Sequence, residues 1–210
     1  MAGLPNPIVV AITLPVFLER EHEAVHALLD NGAHYVHIRK PEAIDRKMES
    51  YLDRIDVSVR ERLTLHYHHE LAVGFGLGGI HESRDAIGTM DGHYRRSKSC
   101  HSVEEVVVHS ERFDYLFLSP IFESISKAGY HAAFGHCGLR KILKHPENPL
   151  GNVVALGGVC AGNARLAREM GFAGIALLGG LWVTDGIAVD VDRSVEQLKL
   201  ITKAWNDRSY

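Results

Sequence analysis

Eight short strand candidates, most of them apolar, alternate with helical segments along the chain, and this alternation constrains the fold more than any other feature. The strand candidates are residues 8–13, 35–38, 63–67, 79–81, 96–100, 115–118, 153–156 and 174–178. Helical patterns lie between them, at residues 18–31, 43–59, 69–75, 102–109, 138–144, 161–170 and 191–204. In a chain of 210 residues, eight such units predict an α/β fold, a compact (β/α)8 TIM barrel. A doubly wound open sheet is the alternative, but no GxGxxG turn follows the first strand.

The composition predicts one globular domain over residues 1–210. The net charge of -3 gives no general attraction to nucleic acid or to an anionic membrane. No apolar run is long enough to span a bilayer, and the first residues lack the pattern of a signal peptide. The cysteines Cys100, Cys137 and Cys160 have no CxxC spacing, which favours a reduced protein. We therefore expect a cytoplasmic protein, and a homo-oligomer is compatible with the sequence.

The loop after the sixth strand offers two hydroxyls and an ammonium group. Ser124, Ser126 and Lys127 follow a continuous apolar strand, and α/β proteins place binding groups at such strand ends. With the neighbouring backbone N–H groups they would form a phosphate cradle. A polar turn with an incidental lysine explains this loop equally well when the loop is taken alone.

Other strand ends add to the prediction of a phosphorylated ligand. Arg39 and Lys40 follow the second strand, and Ser99 lies at the end of the fifth. Paired glycines, at residues 157–158 and 179–180, follow the last two strands, where barrels of this class commonly bind phosphate. Glycines that only turn the chain are the alternative.

Histidines lie near the ends of four successive strands: His37, His66, His81 and His101. Imidazole nitrogens are common metal ligands, so a metal site is one interpretation. The other is a set of hydrogen-bonded or solvent-facing histidines, which is the commoner outcome. No HxH pair with a carboxylate partner distinguishes the two.

Taken together, these segments resemble the thiamine phosphate synthase/TenI superfamily. The matching motifs are Val36-His37-Ile38-Arg39, Gly79-Ile80-His81, the segments 99–105 and 114–127, Ala155-Leu156-Gly157-Gly158-Val159 and Gly174-Ile175-Ala176. Their order and spacing cover most of the chain, and the long segment at the sixth strand is the most specific of them.

The resemblance implies a TIM barrel in which hydroxymethylpyrimidine diphosphate condenses with thiazole phosphate. The diphosphate leaves with the help of Mg2+ and of cations, in a diphosphorylase-type transferase reaction. The roles implied are as follows: Ser124, Ser126, Gly158 and the Leu178–Gly179 backbone hold the thiazole phosphate, whereas Arg39, Lys127 and Ser99 face the diphosphate.

The chain departs from the family pattern on the diphosphate side. The family's Asn-Asp pair after the third strand, which holds this substrate and Mg2+, is His66-Tyr67. The family's lysine after the arginine is Pro41, with Lys40 beside it as a partial substitute, and Asp85 is the remaining candidate metal ligand.

Two alternatives therefore stay open. One is a non-catalytic phosphate-ligand binder. The other is a TenI-like thiazole tautomerase; its usual histidine corresponds to Pro120 here, so His66, His81 or His101 would have to transfer the proton.

Overall fold

The computed structural model describes residues 7–83, 94–122 and 151–208, which include a closed barrel of eight parallel strands. The strands are β1 Ile8–Ile12, β2 Tyr35–Ile38, β3 Leu63–Leu65, β4 Gly79–Glu82, β5 Arg95–Cys100, β6 Tyr115–Leu118, β7 Val153–Leu156 and β8 Gly174–Leu177. Each strand pairs with the next in chain order, and β8 closes on β1 with Gly174 opposite Ile8. The predicted (β/α)8 TIM barrel is therefore confirmed.

Helices surround the barrel and bury their apolar faces against it. In the described ranges they are α1 Glu21–Asp30, α2 Asp45–Asp53, α3 Val57–Arg60, α4 Leu71–Phe75, α5 Val103–His109, α6 Ala164–Met170 and α7 Val191–Asn206. Residues such as Leu28, Leu52 and Leu198 pack in one cluster with outward-facing strand residues such as Val36. None of these helices is both long and apolar enough to cross a membrane. The helix predicted at residues 138–144 lies outside the described residues.

Among the differences from the predicted element boundaries, two have a clear local description. The helix predicted at residues 43–59 is divided into α2 and α3, because Asp56 accepts a hydrogen bond from the N–H of Ser58 and starts a new helix. The third strand ends at Leu65, and the chain then turns through His68, whose φ is 57°. His66 and Tyr67 therefore belong to a loop at the barrel mouth.

The interior of the barrel has two chemically different halves. We call the inward-facing side chains Val10, Phe117, Val154 and Ala176 the apolar half, which comes from β1 and β6 to β8. We call His37, His66, His81, Ser97 and Ser99 the polar half, which comes from β2 to β5 and the loop after β3. The rings of His37 and His81 both lie 5.1 Å from the ring of Phe117, so the two halves meet at the barrel axis.

Candidate active site

Arg39 and Lys40 follow β2 directly, and their side chains go to different places. Lys40 is fully buried; its Nζ donates to the carbonyl oxygens of Leu14 and Val16 and to the Glu21 carboxylate, at 2.7 to 2.8 Å. Burial lowers the pKa of Lys40 and raises that of Glu21, while their attraction opposes both shifts. The expectation that Lys40 substitutes for the family's lysine is wrong, because this ammonium group is fully used in holding the loop after β1.

Arg39 is half-buried at the rim of the polar half. Its backbone N–H donates to Oγ1 of Thr13 at 2.9 Å, which joins the ends of β2 and β1. Its charge contributes to lowering the pKa of both His66 and His81, as a nearby cation does. The predicted site residues Arg39 and His66 are therefore brought to the same side of the mouth.

Three imidazoles converge inside the barrel; we call His37, His66 and His81 the histidine cluster. Nδ1 of His37 lies 2.9 Å from Nε2 of His66, and the rings of His66 and His81 stack with centroids 4.0 Å apart. One nitrogen of each ring lies within 4.8 Å of the corresponding nitrogens of the other two. The convergence follows from strand alternation, since His37 and His81 both point inward.

Hydroxyl groups hold two of these rings from the other side. The Tyr115 hydroxyl lies 2.5 Å from Nε2 of His37. Nδ1 and Nε2 of His81 each lie 2.9 Å from a serine hydroxyl, those of Ser97 and Ser99 respectively. Ser99 is thus placed at the histidine cluster, and its contact with a diphosphate stays a prediction.

The cluster is uncharged at neutral pH. Burial, which removes the hydration of an imidazolium, lowers the pKa of His81 to about 3 and takes those of His37 and His66 well below their usual range. Neighbouring rings and cations lower these pKa values further. The rings can accept or donate hydrogen bonds, and they can ligate a metal, but they are poor acids and bases near pH 7.

His101, the fourth histidine of the predicted set, lies apart from the cluster. It is exposed on the rim, where Nδ1 lies 3.2 Å from the carbonyl oxygen of Ser119. Its backbone N–H donates to the Glu105 carboxylate, and the N–H of Glu105 donates to Oγ of Ser102. Ser102 therefore caps the helix, and the Glu105 carboxylate holds the backbone of His101 beside the cap.

The loop after β7 is a backbone turn built by glycine. Gly157 and Gly158 have φ values of 93° and 66°, which disfavour side chains, and a Cβ at Gly157 would lie 2.9 Å from Cα of Pro120. Asn163 holds the turn: its Nδ2 donates to the carbonyl of Gly158 and its Oδ1 accepts from the N–H of Cys160, both at 2.8 Å. Gly158 is therefore held in a fixed conformation.

The loops after β6, β7 and β8 lie against one another at the mouth. The N–H groups of Ile121 and Phe122 donate to the carbonyls of Leu156 and Gly157, at 3.0 and 3.1 Å. A Cβ on Gly180 would lie 2.9 Å from the carbonyl oxygen of Val159. Leu178 and Gly179, which are half-buried and exposed respectively, therefore lie in a loop that touches the one carrying Gly158.

The predicted residues Asp85, Ser124, Ser126 and Lys127 lie outside the described residues. In the described part, sequence reasoning missed the roles of His37, Tyr115 and Ser97 as partners within one network. One of these roles had a signal in the sequence. His37 is two residues from Arg39, so it lies on the same strand face as a predicted site residue. The pairing of Tyr115 with His37, from strands far apart in the sequence, had no such signal.

Comparisons with known proteins are consistent with this geometry. The profile of a family described as thiamine monophosphate synthase (TMP-TENI) matches residues 9–181. A thiamine-phosphate synthase of Chloroflexus aurantiacus is 28% identical over 200 residues, which is 90% of this chain and 89% of that protein. A thiamine-phosphate synthase of Archaeoglobus fulgidus is 25% identical, with 89% of each chain covered.

Two solved structures with the same kind of barrel are also similar to this chain. The thiamine phosphate pyrophosphorylase of Bacteroides thetaiotaomicron superposes with a TM-score of 0.83 and 28% identity, over 97% of this chain and 100% of that one. The corresponding protein of Pyrococcus furiosus has a TM-score of 0.72 at 24% identity over 94% of this chain and 96% of that one, a likeness of fold.

Proposed function

Because the chain belongs to the thiamine monophosphate synthase family, we propose that it joins hydroxymethylpyrimidine diphosphate to thiazole phosphate and releases diphosphate. The observation that carries the proposal is the arrangement of the loops after β6 and β7. Backbone hydrogen bonds from Ile121 and Phe122 hold the chain against the turn at Gly157. In the sequence, Ser124, Ser126 and Lys127 follow directly after these two residues. The loop that resembles the family most specifically thus leaves the barrel beside the fixed turn at Gly158.

The thiazole phosphate would bind above the apolar half. Backbone N–H groups at Gly158 and at Leu178–Gly179 would donate to its phosphate oxygens, together with the hydroxyls of Ser124 and Ser126. The fixed conformation of Gly158 supports this assignment, because a preorganised donor does not need to be ordered when the ligand binds.

The pyrimidine diphosphate would bind above the polar half. The bond between the pyrimidine methylene carbon and the diphosphate oxygen breaks, and the thiazole nitrogen donates its lone pair to that carbon. Arg39, Lys127 and Ser99 would stabilise the negative charge that develops on the diphosphate. The place of Arg39 at the rim, close enough to influence His66 and His81, supports this role.

Magnesium is implied by the family, and the described residues of this region do not fit it. Mg2+ prefers oxygen ligands in octahedral geometry. The position of the family's Asn-Asp pair offers the nitrogen of His66 and the phenol of Tyr67, and Glu82 at the end of β4 is paired with Arg96. The role of Asp85 as a metal ligand stays a prediction, and the charge stabilisation proposed above comes from the cations of this chain.

The test is turnover of the two substrates, measured as thiamine phosphate formed, with the variant Arg39→Ala. We expect kcat/KM to fall about 100-fold, because a preorganised cation at the leaving group is lost. Arg46→Ala, which removes an exposed arginine of α2, is the matched control and should leave kcat/KM unchanged. Equal turnover in wild type and Arg39→Ala would contradict the assignment of Arg39.

A second candidate is a paralogue that binds thiazole phosphate without the condensation, and the replacement of the Asn-Asp pair by His66-Tyr67 favours it. Thiazole phosphate bound without turnover, with either Mg2+ or Zn2+ present, would select this candidate. A tautomerase that uses His81 is less well supported, since a pKa of about 3 makes a weak base. Deuterium exchange from solvent into thiazole carboxylate phosphate would detect it.

A further inference from the structure

We propose that His37, His66 and His81 form a binding site for one divalent transition-metal ion of the Zn2+ class, inside the barrel at its catalytic end. The ion would take one nitrogen from each ring and keep a fourth position for water or an anionic oxygen. This site does not depend on the proposed synthesis, because it can be detected by metal binding alone.

The first argument is the distance between the rings. A tetrahedral Zn2+ with bonds of about 2.0–2.1 Å holds two ligand nitrogens roughly 3.3 Å apart. Nδ1 of His37 and Nε2 of His66 are 2.9 Å apart, a hydrogen-bonded distance. Replacing the shared proton with a metal ion therefore requires the two rings to separate by only about 0.4 Å. A nitrogen of His81 lies within 4.8 Å of both, and the His81 ring is stacked on that of His66. To complete the set, this ring has to turn out of the stack and exchange its hydrogen bond to Ser99 for the metal.

The second argument is the support behind the rings. Histidines that ligate metals usually have a hydrogen-bond partner on the other ring nitrogen, which fixes the tautomer and the orientation. The Tyr115 hydroxyl is such a partner for Nε2 of His37, at 2.5 Å. Ser97 is such a partner for Nδ1 of His81, at 2.9 Å, which leaves Nε2 to exchange the Ser99 hydroxyl for the metal.

The third argument is the place of the cluster. His37 and His81 are fully buried, and His66 is 6% exposed, so the cluster reaches the mouth of the barrel at His66. Three protein ligands and an accessible fourth position are the pattern of a catalytic rather than a structural zinc site. Imidazole nitrogens bind Zn2+, Co2+, Ni2+ and Cu2+ in preference to Mg2+, so the site would discriminate against the hard ion.

The experiment is a titration of the chelator-treated full-length protein with Co2+, followed by its visible absorption, and with Zn2+ in competition. We expect one Co2+ per chain with the bands of a tetrahedral nitrogen site, displaced by Zn2+ and not by Mg2+. His66→Asn should weaken binding at least about 100-fold, and Tyr115→Phe, which removes only the support behind His37, about 10-fold. A wild type without these bands would overturn the proposal.

Two controls locate the ion. His101→Asn removes a rim histidine outside the cluster and should bind Co2+ like wild type. His68→Ala disrupts the exposed group Asp45, His68 and Glu70, the other set in the described residues whose ligand atoms lie close together. Loss of the bands in His68→Ala, with retention in His66→Asn, would place the ion at the surface and overturn the assignment. Circular dichroism of each variant shows whether the barrel is folded. If His66→Asn does not fold, the weaker Co2+ binding expected for Tyr115→Phe tests the proposal instead.

Discussion

The two halves of the barrel mouth are built from different chemical groups. In the polar half, side chains supply the chemistry: three imidazoles and two serine hydroxyls, with the guanidinium of Arg39 at the rim. Above the apolar half, the backbone supplies it, in the fixed turn at Gly157–Gly158. The polar half should therefore respond to protons, metals and side-chain replacement, and the other half to changes in backbone conformation.

The largest expected effect separates the structural role of Lys40 from the ligand-binding role proposed for Arg39, the two basic residues that follow β2. Lys40→Met should lower the free energy of unfolding by about 3–5 kcal/mol, because it leaves the Glu21 carboxylate buried without its cation. The neighbouring change Arg39→Met should cost about 1 kcal/mol or less, since that side chain is half-buried at the rim. Urea denaturation of both variants measures the difference.

A double variant sharpens this test. Lys40→Met combined with Glu21→Leu removes both charges and should recover most of the lost stability, as the replacement of buried ion pairs often does. If the double variant is as unstable as Lys40→Met, the hydrogen bonds of Lys40 to Leu14 and Val16 dominate over the ion pair.

The second prediction concerns pH. The pKa values of His37, His66 and His81 are lowered in the folded state, so the unfolded chain binds more protons as the pH falls below about 6.5. The contribution of these neutral rings to the free energy of unfolding is fully present above that pH. It is lost on acidification until the ring is protonated in the folded protein too, at a pKa of about 3 for His81. Each ring should cost about 1.4 kcal/mol per pH unit in this window.

Urea denaturation between pH 7 and pH 5, with a chelator present, measures this slope. His37→Gln should reduce the slope of the free energy of unfolding against pH by about 1.4 kcal/mol per pH unit, the value for one proton. The rim variant His101→Asn should leave this slope unchanged. A slope in His37→Gln equal to that of wild type would show that the cluster does not cause the acid sensitivity.

The barrel itself was predictable from sequence, because strands buried on both faces leave short apolar runs such as Tyr115–Leu118 and Val153–Leu156 between helical patterns. The polar strand β5 Arg95–Cys100 is an exception, and it was predicted from its place in the alternation. The turn after β7 was also predictable in part: Gly157 and Gly158 stand out since few other residues adopt their φ values. The predicted third strand was two residues too long, because no residue type in this segment indicates the turn at His68. Helix propensity likewise failed to predict the break at Asp56, where local capping is decisive.

The polar half was predicted less well, because its side chains meet across strands that are distant in sequence. Lys40 could not be recognised as buried, since its acceptors at Leu14, Val16 and Glu21 depend on how the loop after β1 folds back. The grouping of His37, His66 and His81 follows only from the strand register, which pairs Ile38 with Leu65 and Leu65 with Ile80 and so brings these strand ends together. Tyr115 as the partner of His37 requires the closed barrel itself.

The third prediction converts the polar half to the family pattern. His66→Asn combined with Tyr67→Asp restores an oxygen-rich pair after β3, and such ligands suit Mg2+. We expect Mg2+-dependent formation of thiamine phosphate to rise about 10-fold, equivalent to about 1.4 kcal/mol, while Co2+ binding at the histidine cluster is lost. Unchanged turnover in a folded double variant would show that this pair does not limit the reaction.

The smallest expected effect tests the backbone side of the comparison. Gly158→Ala places a side chain at a φ of 66° and should cost about 1 kcal/mol of stability, together with a loss of affinity for thiazole phosphate as the N–H donors shift. Gly76 has the same φ of 66° at the end of α4, with nothing within 4 Å of an added Cβ, so Gly76→Ala is the matched control. Both variants should lose similar stability by urea denaturation, and only Gly158→Ala should lose affinity by calorimetric titration. Equal ligand affinity in the two variants would show that the turn after β7 does not bind the phosphate. Side chains would then recognise the ligand in both halves of the mouth.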